Sequence, residues 1–418
     1  MHIFCCGGIG EHGRSCLLLK ADDGSWLMVD CGVAHEFTPG HPGRYPSLPA
    51  DLPDTFPLLL THTHEDHVAA IPRLIAEGFR PQVYATPLTV ELSPGYCRTW
   101  LKAVDKAIAA SGGRRPYREE DISAIAWHPL QEGRICRIGP WTLRHGMAAH
   151  APGSCWFILS HAERPSFSIG ISGDWTTKSA VYPSPEFPPC DLFITDASGS
   201  EKDDEGREQL ETLLSCFRER PILLPLPVVG RSQEMLAVMA AMPELAGTAG
   251  AVVMDRALVN GLDIWLKDKD ISARGRAALI RAKQLFESGQ WLAVSRTEDI
   301  PHGPRVIGTA NAMLSSGLSA AAGRQVLAED GLILFSGHAA PGTPGRQLLD
   351  SGHPQIRRLP WKVHPSMRDV EKAASAVRPS AMILVHTPLD RARIMAAQLE
   401  SRCGTKVFAP AVGDILTI

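Results

Sequence analysis

Short apolar runs stopped by glycine, proline or a carboxylate recur along this chain, and their spacing predicts its elements. Residues 1–32 read as two or three strands around glycine turns. Ser15–Lys20 is one apolar run, and Trp26-Leu-Met-Val-Asp-Cys-Gly32 is a strand that ends in a carboxylate and a glycine. Gly7-Gly-Ile-Gly-Glu-His-Gly13 is a turn-rich loop; no Gly-x-x-x-x-Gly-Lys follows, so a tight turn is expected there and not a phosphate cradle. Residues 34–56 are rich in proline, glycine and histidine and read as a surface loop in which His35 and His41 are solvated. Phe56-Pro-Leu-Leu-Leu60 predicts a buried strand, Val68–Phe79 a helix and Gln82-Val-Tyr-Ala85 a strand, while Leu88–Ile108 carries mixed helical signal. Arg114, Arg115 and Arg118 cluster in a polar loop and read as solvated charge.

From Ile122 to Asp174 apolar runs alternate with turns, which predicts a β-meander. Asp191-Leu-Phe-Ile-Thr-Asp196 follows as a strand ending in small polar residues. In Asp204–Arg220, Leu210, Leu213, Leu214 and Phe217 stand at helical spacing, a core stripe. Pro221–Glu234 reads as strand, glycine turn and helix start, Met367–Val377 as a helix and Ala381–Val385 as a strand. Thr387 and Pro388 make an N-cap and first-position pair for a last helix.

With 418 residues the chain can hold two domains, or one domain with a large insert. Its 44% hydrophobic and 21% charged content is that of an ordinary globular protein. A net charge of −3 gives no global footprint for nucleic acid, although a local basic groove is compatible with it. No run has the length of a membrane span, and Met1-His-Ile-Phe-Cys-Cys-Gly-Gly lacks the layout of a secretory signal. Ten scattered cysteines without a Cys-x-x-Cys pair point to a reduced, cytoplasmic compartment, with Cys5 and Cys6 as small buried residues.

Candidate chemistry concentrates in Thr61-His-Thr-His-Glu-Asp-His67, where four of seven residues can bind metal. In an extended segment His62 and His64, two apart, point the same way and can share one ion; the following turn sends Asp66 and His67 toward a second. Imidazoles with a carboxylate are the donor set zinc prefers. His150 precedes a Pro-Gly turn, and Asp174 follows a glycine at a strand end; alone, each reads as a turn residue. Asp30 can orient a ligand from behind or simply close its strand.

His-x-His-x-Asp-His after an apolar strand resembles the second motif of the metallo-β-lactamase superfamily. That resemblance implies a later histidine on the first ion and a later bridging aspartate, matched by His150 and Asp174. It assigns His62, His64 and His150 to one zinc, Asp66 and His67 to the other, and Asp174 between them. Ala251–Leu258, Thr309–Met313 and Phe335–Arg346 resemble the β-CASP branch, which includes the J-type ribonucleases. The implied fold is α/β, a metallo-β-lactamase αββα sandwich with an inserted α/β β-CASP cap domain. Its expected boundaries are 1–195 for the first part of the sandwich, 196–357 for the cap and 358–418 for the return.

Within this resemblance Asp196 matches the first additional acidic motif, His364 the second and His386 the third, the last as a further ligand on the second ion. His338 competes with His364, but its Gly-Thr-Pro-Gly-Arg surroundings fit the segment before that motif. Thr387-Pro388 stands where the family has glycine, often followed by an acid, and Lys362-Val363 replaces a small pair. The implied activity is hydrolysis of phosphodiester bonds in RNA, favoured over single-stranded DNA, by a hydroxide activated between two zinc ions, with manganese as the alternative metal. Asp66, His364 and Asp196 are the catalytic candidates, with His364 acting as general acid or gripping the scissile phosphate. Ser366, Arg346, Lys362 and Arg231 are candidate phosphate contacts, beside Arg357, Arg358 and Arg368. A small-molecule ester or thioester hydrolase and a non-catalytic scaffold are the rival readings. No membrane partner is expected, and a protein partner or a homodimer is compatible with the sequence.

Overall fold

The computed structural model describes residues 1–34, 44–199, 206–337, 339, 342–359 and 361–418; His35, His41 and His338 lie outside them. The chain divides into two compact units, the first made of residues 1–177, 184–202 and 364–418, the second of 178–183 and 203–363. Among the described residues no helix is long and apolar enough to cross a membrane.

In chain order the first unit supplies β1 (His2–Gly7), β2 (Cys16–Lys20), β3 (Trp26–Val29), β4 (Pro57–Leu59), β5 (Gln82–Ala85), β6 (Ala126–Pro129), β7 (Cys136–Ile138), β8 (Trp141–Met147), β9 (Cys155–His161), β10 (Arg164–Ile171) and β11 (Leu192–Asp196). The second unit holds β12 (Ile222–Leu226), β13 (Val252–Asp255), β14 (Leu292–Val294), β15 (Val306–Ala310), β16 (Leu332–Phe335) and β17 (Ile356–Arg358). The chain then returns with β18 (Ala381–Val385), β19 (Lys406–Phe408) and β20 (Ile415–Thr417).

Two seven-stranded sheets form the first unit, ordered β20-β1-β2-β3-β4-β5-β6 and β19-β18-β11-β10-β9-β8-β7. In the central strands β2, β3, β4 and β11 alternate side chains enter two buried layers, so nearly every residue there is apolar. Ile3, Leu17, Leu19, Leu27 and Val29 of one sheet share a core with Phe157, Leu159, Ile169, Leu192, Ile194 and Ile383 of the other. On the outer face of the first sheet, Leu18, Met28 and Leu58 pack on helices 65–76 and 87–111. On the outer face of the second, Phe193, Met382 and Leu384 pack on helices 367–377 and 389–403. The result is a helix, sheet, sheet, helix succession in which the central strands are buried on both faces and read as continuous apolar runs.

The sheet of the second unit has six strands in the order β14-β13-β15-β12-β16-β17, all parallel. Strands alternate with helices along the chain, as crossover connections between parallel strands require. The stripe expected in 204–220 is core where it is described, with Leu210, Leu214 and Phe217 buried; the side chain of Leu213 lies outside the described set.

Several boundaries differ from expectation. The helix predicted over Val68–Phe79 is two short helices, Glu65–Val68 and Ile71–Ala76, because the chain turns at Ala70 and Pro72 sits in the first turn of the second. Asp66 and His67 therefore stand on a helix and not in a loop. The strand predicted to run to Gly32 stops at Val29, since Asp30 takes a left-handed φ of 58°. Leu88–Ile108 belongs to one 25-residue helix, Pro87–Ser111, that runs through Pro94. Pro388, not Thr387, caps the last helix, because a bridge from Gly10 to Pro388 holds that residue outside the helix.

Candidate metal centre

Carboxyl ends of strands in both sheets carry the candidate residues. Beyond β3 stands Asp30, beyond β4 the segment Thr61–His67, beyond β8 His150, beyond β10 Asp174, at the end of β11 Asp196 and beyond β18 His386. In α/β sheets this is the edge where loops converge and ligands bind. The left-handed turn at Asp30 brings its carboxylate back over the strand. Its Oδ1 accepts from the Thr61 backbone N–H at 2.8 Å, and its Oδ2 accepts from Thr61 Oγ1 at 2.9 Å and stands 2.8 Å from His67 Nδ1. That contact turns His67 Nε2 toward Asp174 Oδ2, 3.4 Å away, and Asp66 Oδ2, 3.8 Å away.

The short helix 65–68 is laced to the strand ends through its own carbonyls. Ser15 N–H donates to Asp66 O at 2.8 Å, Cys31 N–H to His67 O at 2.8 Å and Val33 N–H to Glu65 O at 3.1 Å. A Cβ on Gly32 would stand 1.7 Å from Asp66 O, so this approach requires glycine.

Two sets of donors meet there. His64 Nδ1 lies 3.1 Å from both His62 Nε2 and His150 Nε2, and Asp174 Oδ2 lies 3.8 Å and 3.7 Å from the latter two. Four donors bound tetrahedrally to zinc at about 2.0–2.1 Å would stand about 3.3 Å from one another, close to these separations. On the other side His386 Nε2 is 3.2 Å from Asp66 Oδ2 and His386 Nδ1 is 3.2 Å from Asp174 Oδ1, with His67 between the carboxylates. Three imidazole nitrogens pointed at one place do not satisfy each other as donors and acceptors. They fit a cation, and these His and Asp clusters can hold metal ions.

Electrostatics divide the two sets in the same way. Burial lowers His62 well below the usual histidine range and His64 to about 4, so both stay neutral, as ligands must. For His67 and His386 burial also works downward, but Asp174 and the neighbouring carboxylates raise both well above the ordinary value. Asp174 and Asp66 are held well below the carboxylate range despite their burial, by His386 and His67 for the first and His67 for the second. This half of the site attracts positive charge.

Beside it, His364 Nδ1 is 2.8 Å from Asp196 Oδ2. Asp196 is fully buried; burial pushes its pKa up, but the His364 ring holds it below the carboxylate range. The His364 side chain keeps 24% of its surface open, so the pair has one anchored and one accessible end. The His364 ring lies 4.9 Å from that of His150 and 5.3 Å from that of His386.

No protein-family model matches the chain. Ribonuclease TTHA0252 of Thermus thermophilus is 31% identical over 57% of this chain and 54% of its own length. Transcription termination factor FttA of Lokiarchaeum is 26% identical over 85% of this chain and 58% of that protein, and FttA of Pyrococcus horikoshii 25% identical over 97% and 69%. The chain thus spans a little over half the length of the first two relatives. These relatives bear out the resemblance to the β-CASP branch of the metallo-β-lactamase superfamily. A crystal structure titled as a protein of unknown function from Enterococcus faecalis shares the fold at 12% identity, with a TM-score of 0.60 over 100% of this chain and 99% of that one.

The basic residues of this chain are more dispersed than its histidines. Ser366 does not face a substrate, because it is 1% exposed and its hydroxyl caps helix 367–377, donating to Asp369 Oδ2 at 2.8 Å and accepting from Asp369 N–H. Arg346, Lys362 and Arg231 belong to the second unit. Arg346 pairs with Asp350 at 2.7 Å, Lys362 Nζ is buried, and the Arg231 guanidinium lies against Gly337, where burial lowers its pKa to about 10. Arg357, Arg358 and Arg368 are exposed. Arg115 is committed to Asp105 through two bonds of 2.6 and 2.9 Å. Three residues at the site had no role in the sequence reading: Thr61, which links Asp30 to the ligand segment, and His12 and Arg391. Thr61 opens the metal motif and was visible there; no sequence signal marks the other two.

Proposed function

We propose that this chain is a metal-dependent nuclease that hydrolyses phosphodiester bonds of RNA, with single-stranded DNA as the second substrate. The reading rests on one observation above all: imidazoles and carboxylates from four separate strand ends converge on one place beside an Asp196–His364 pair. The relatives named as a ribonuclease and as transcription termination factors point to RNA as the polymer. In this reading the first unit is a metallo-β-lactamase αββα sandwich and residues 203–363 are the inserted β-CASP domain.

His62, His64, His150 and Asp174 would hold one zinc ion and Asp66, His67, Asp174 and His386 the other. Such ions would supply Lewis acidity that activates water near neutral pH and offsets negative charge on the phosphate. The chain's own residues do the rest. Asp30, fixed by Thr61, keeps the His67 ring in the tautomer that presents Nε2 to the site. Asp196 binds His364 at Nδ1 and so leaves Nε2 to carry the proton delivered to the departing ribose or deoxyribose oxygen. Burial of His62 and His64 keeps them unprotonated.

Incubation of zinc-loaded protein with labelled RNA and single-stranded DNA, with and without chelator, tests this. Cleavage that stops on chelation is expected, and a failure to cleave either polymer overturns the nuclease reading.

A further inference from the structure

The loop from Gly8 to Gly13 is stitched to the turn after β18. His386 N–H donates to Gly8 O at 2.7 Å, Leu389 N–H donates to Gly10 O at 3.0 Å, and Gly10 bridges to Pro388. A Cβ on Gly10, where φ is 68°, would stand 3.3 Å from Leu389 Cβ and from Pro410 O. From inside the loop, the Glu11 carboxylate accepts from Gly8 N–H at 3.2 Å and clamps Arg14 at 2.5 and 2.9 Å. With its neighbours fixed on both sides, His12 is presented at a defined place, its ring edge-on to His386 with centroids 5.6 Å apart. It is exposed, and among the described residues it makes no hydrogen bond.

Arg391 is a second group left over at the same edge. It stands on helix 389–403, half-buried, and its single hydrogen bond runs from Nη1 to Ser198 O at 3.3 Å. Ser198 N–H in turn donates to Asp196 Oδ1 at 2.8 Å, so the guanidinium sits beside the Asp196–His364 pair. Among the described residues it has no carboxylate partner, which is unusual for an arginine drawn this far from water. Its charge acts on the His12 ring together with those of His386, His364 and Asp196, so these groups share one neighbourhood. A rigid imidazole with a free N–H and a guanidinium with unused donors make a cradle for one anion. Beside a site that handles a phosphodiester, the anion of matching charge is the next phosphate along the strand.

We propose that His12 and Arg391 form a second phosphate subsite that holds the backbone phosphate adjacent to the scissile one in single-stranded nucleic acid. The word scissile rests on the nuclease reading; the subsite itself is tested by binding. A fluorescein-labelled phosphorothioate octamer, in RNA and DNA versions, is titrated with zinc-loaded protein by anisotropy across a salt series. R391A is expected to weaken Kd about tenfold and to lower the slope of log Kd against log salt by about 0.7, the share of one phosphate contact on a single strand. R391K restores the slope with part of the affinity, and H12A weakens binding with the slope kept, since it removes a hydrogen bond. All three retain wild-type zinc content. Equal effects on the RNA and DNA octamers are expected, because the contact is to phosphate. An unchanged slope in R391A, or no octamer binding by the wild type, overturns the subsite. Octamer binding with the expected R391A slope and no hydrolysis of any substrate leaves the subsite standing and removes the nuclease reading instead.

Discussion

The candidate metal centre of the first unit and the interior of the second contain differently partnered buried polar groups. In the second, three buried polar side chains meet partners of the complementary kind: Tyr182 Oη donates to Asp268 Oδ2 at 2.8 Å, Trp361 Nε1 donates to Glu234 Oε2 at 3.1 Å, and the Gln233 amide donates to two backbone carbonyls at 2.8 and 3.0 Å. Such pairs are complete without any added species and belong to the fold. At the candidate metal centre of the first unit like faces like. Nitrogen meets nitrogen at 3.1 Å and carboxylates crowd one another, so the cluster is costly until a cation joins it. Burial alone therefore does not mark a functional site; burial with mismatched partners does.

That contrast is sharpened most by removing a proposed ligand. Asp174→Ala or His64→Ala is expected to drop bound zinc and lower RNA cleavage on the order of 10⁴-fold, since the ligands act as a unit; metal analysis with a cleavage assay checks it, and full activity in either variant would remove that residue from the centre. His364→Ala should slow cleavage by roughly 10²–10⁴-fold with zinc retained, as expected for loss of a general acid. Wild-type turnover in that variant would exclude the role.

Asp30→Ala acts one layer further out, and competition with a zinc chelator should show affinity reduced about 10–100-fold. In the second unit, Tyr182→Phe removes one donor to a buried carboxylate; urea unfolding should register a loss of about 1–3 kcal/mol, with zinc content unchanged. Loss of zinc in that variant would break the distinction between the units. Smallest is Ser366→Ala, expected to cost about 1 kcal/mol through the helix cap. KM for RNA should not move, and a raised KM would return Ser366 to the substrate.

Met367–Val377 and Ala381–Val385 match their sequence expectation residue for residue. There an amphipathic helix and an apolar strand alternate with clear stops. The region around the metal motif departs from expectation because Asp30, a non-glycine residue in a left-handed turn, and helix 65–68 owe their shapes to hydrogen bonds from Ser15, Cys31 and Val33, which no local pattern announces. Ser366 misled for a related reason: its hydroxyl belongs to a capping box that outranks a substrate contact.

By itself, the sequence determined which residue types were available and in what order: the dense histidine segment 61–67, the isolated His150, Asp174, Asp196, His364 and His386, and the apolar runs that become sheets. Only the tertiary structure decided that these scattered side chains share one edge, that His364 leans on Asp196, and that His12 and Arg391 stand next to them unused. The physical reason is range. Periodicity and turn chemistry act over a few residues, whereas the contact of His386 with Asp66 joins positions 320 residues apart and exists only once two sheets have closed on a common core.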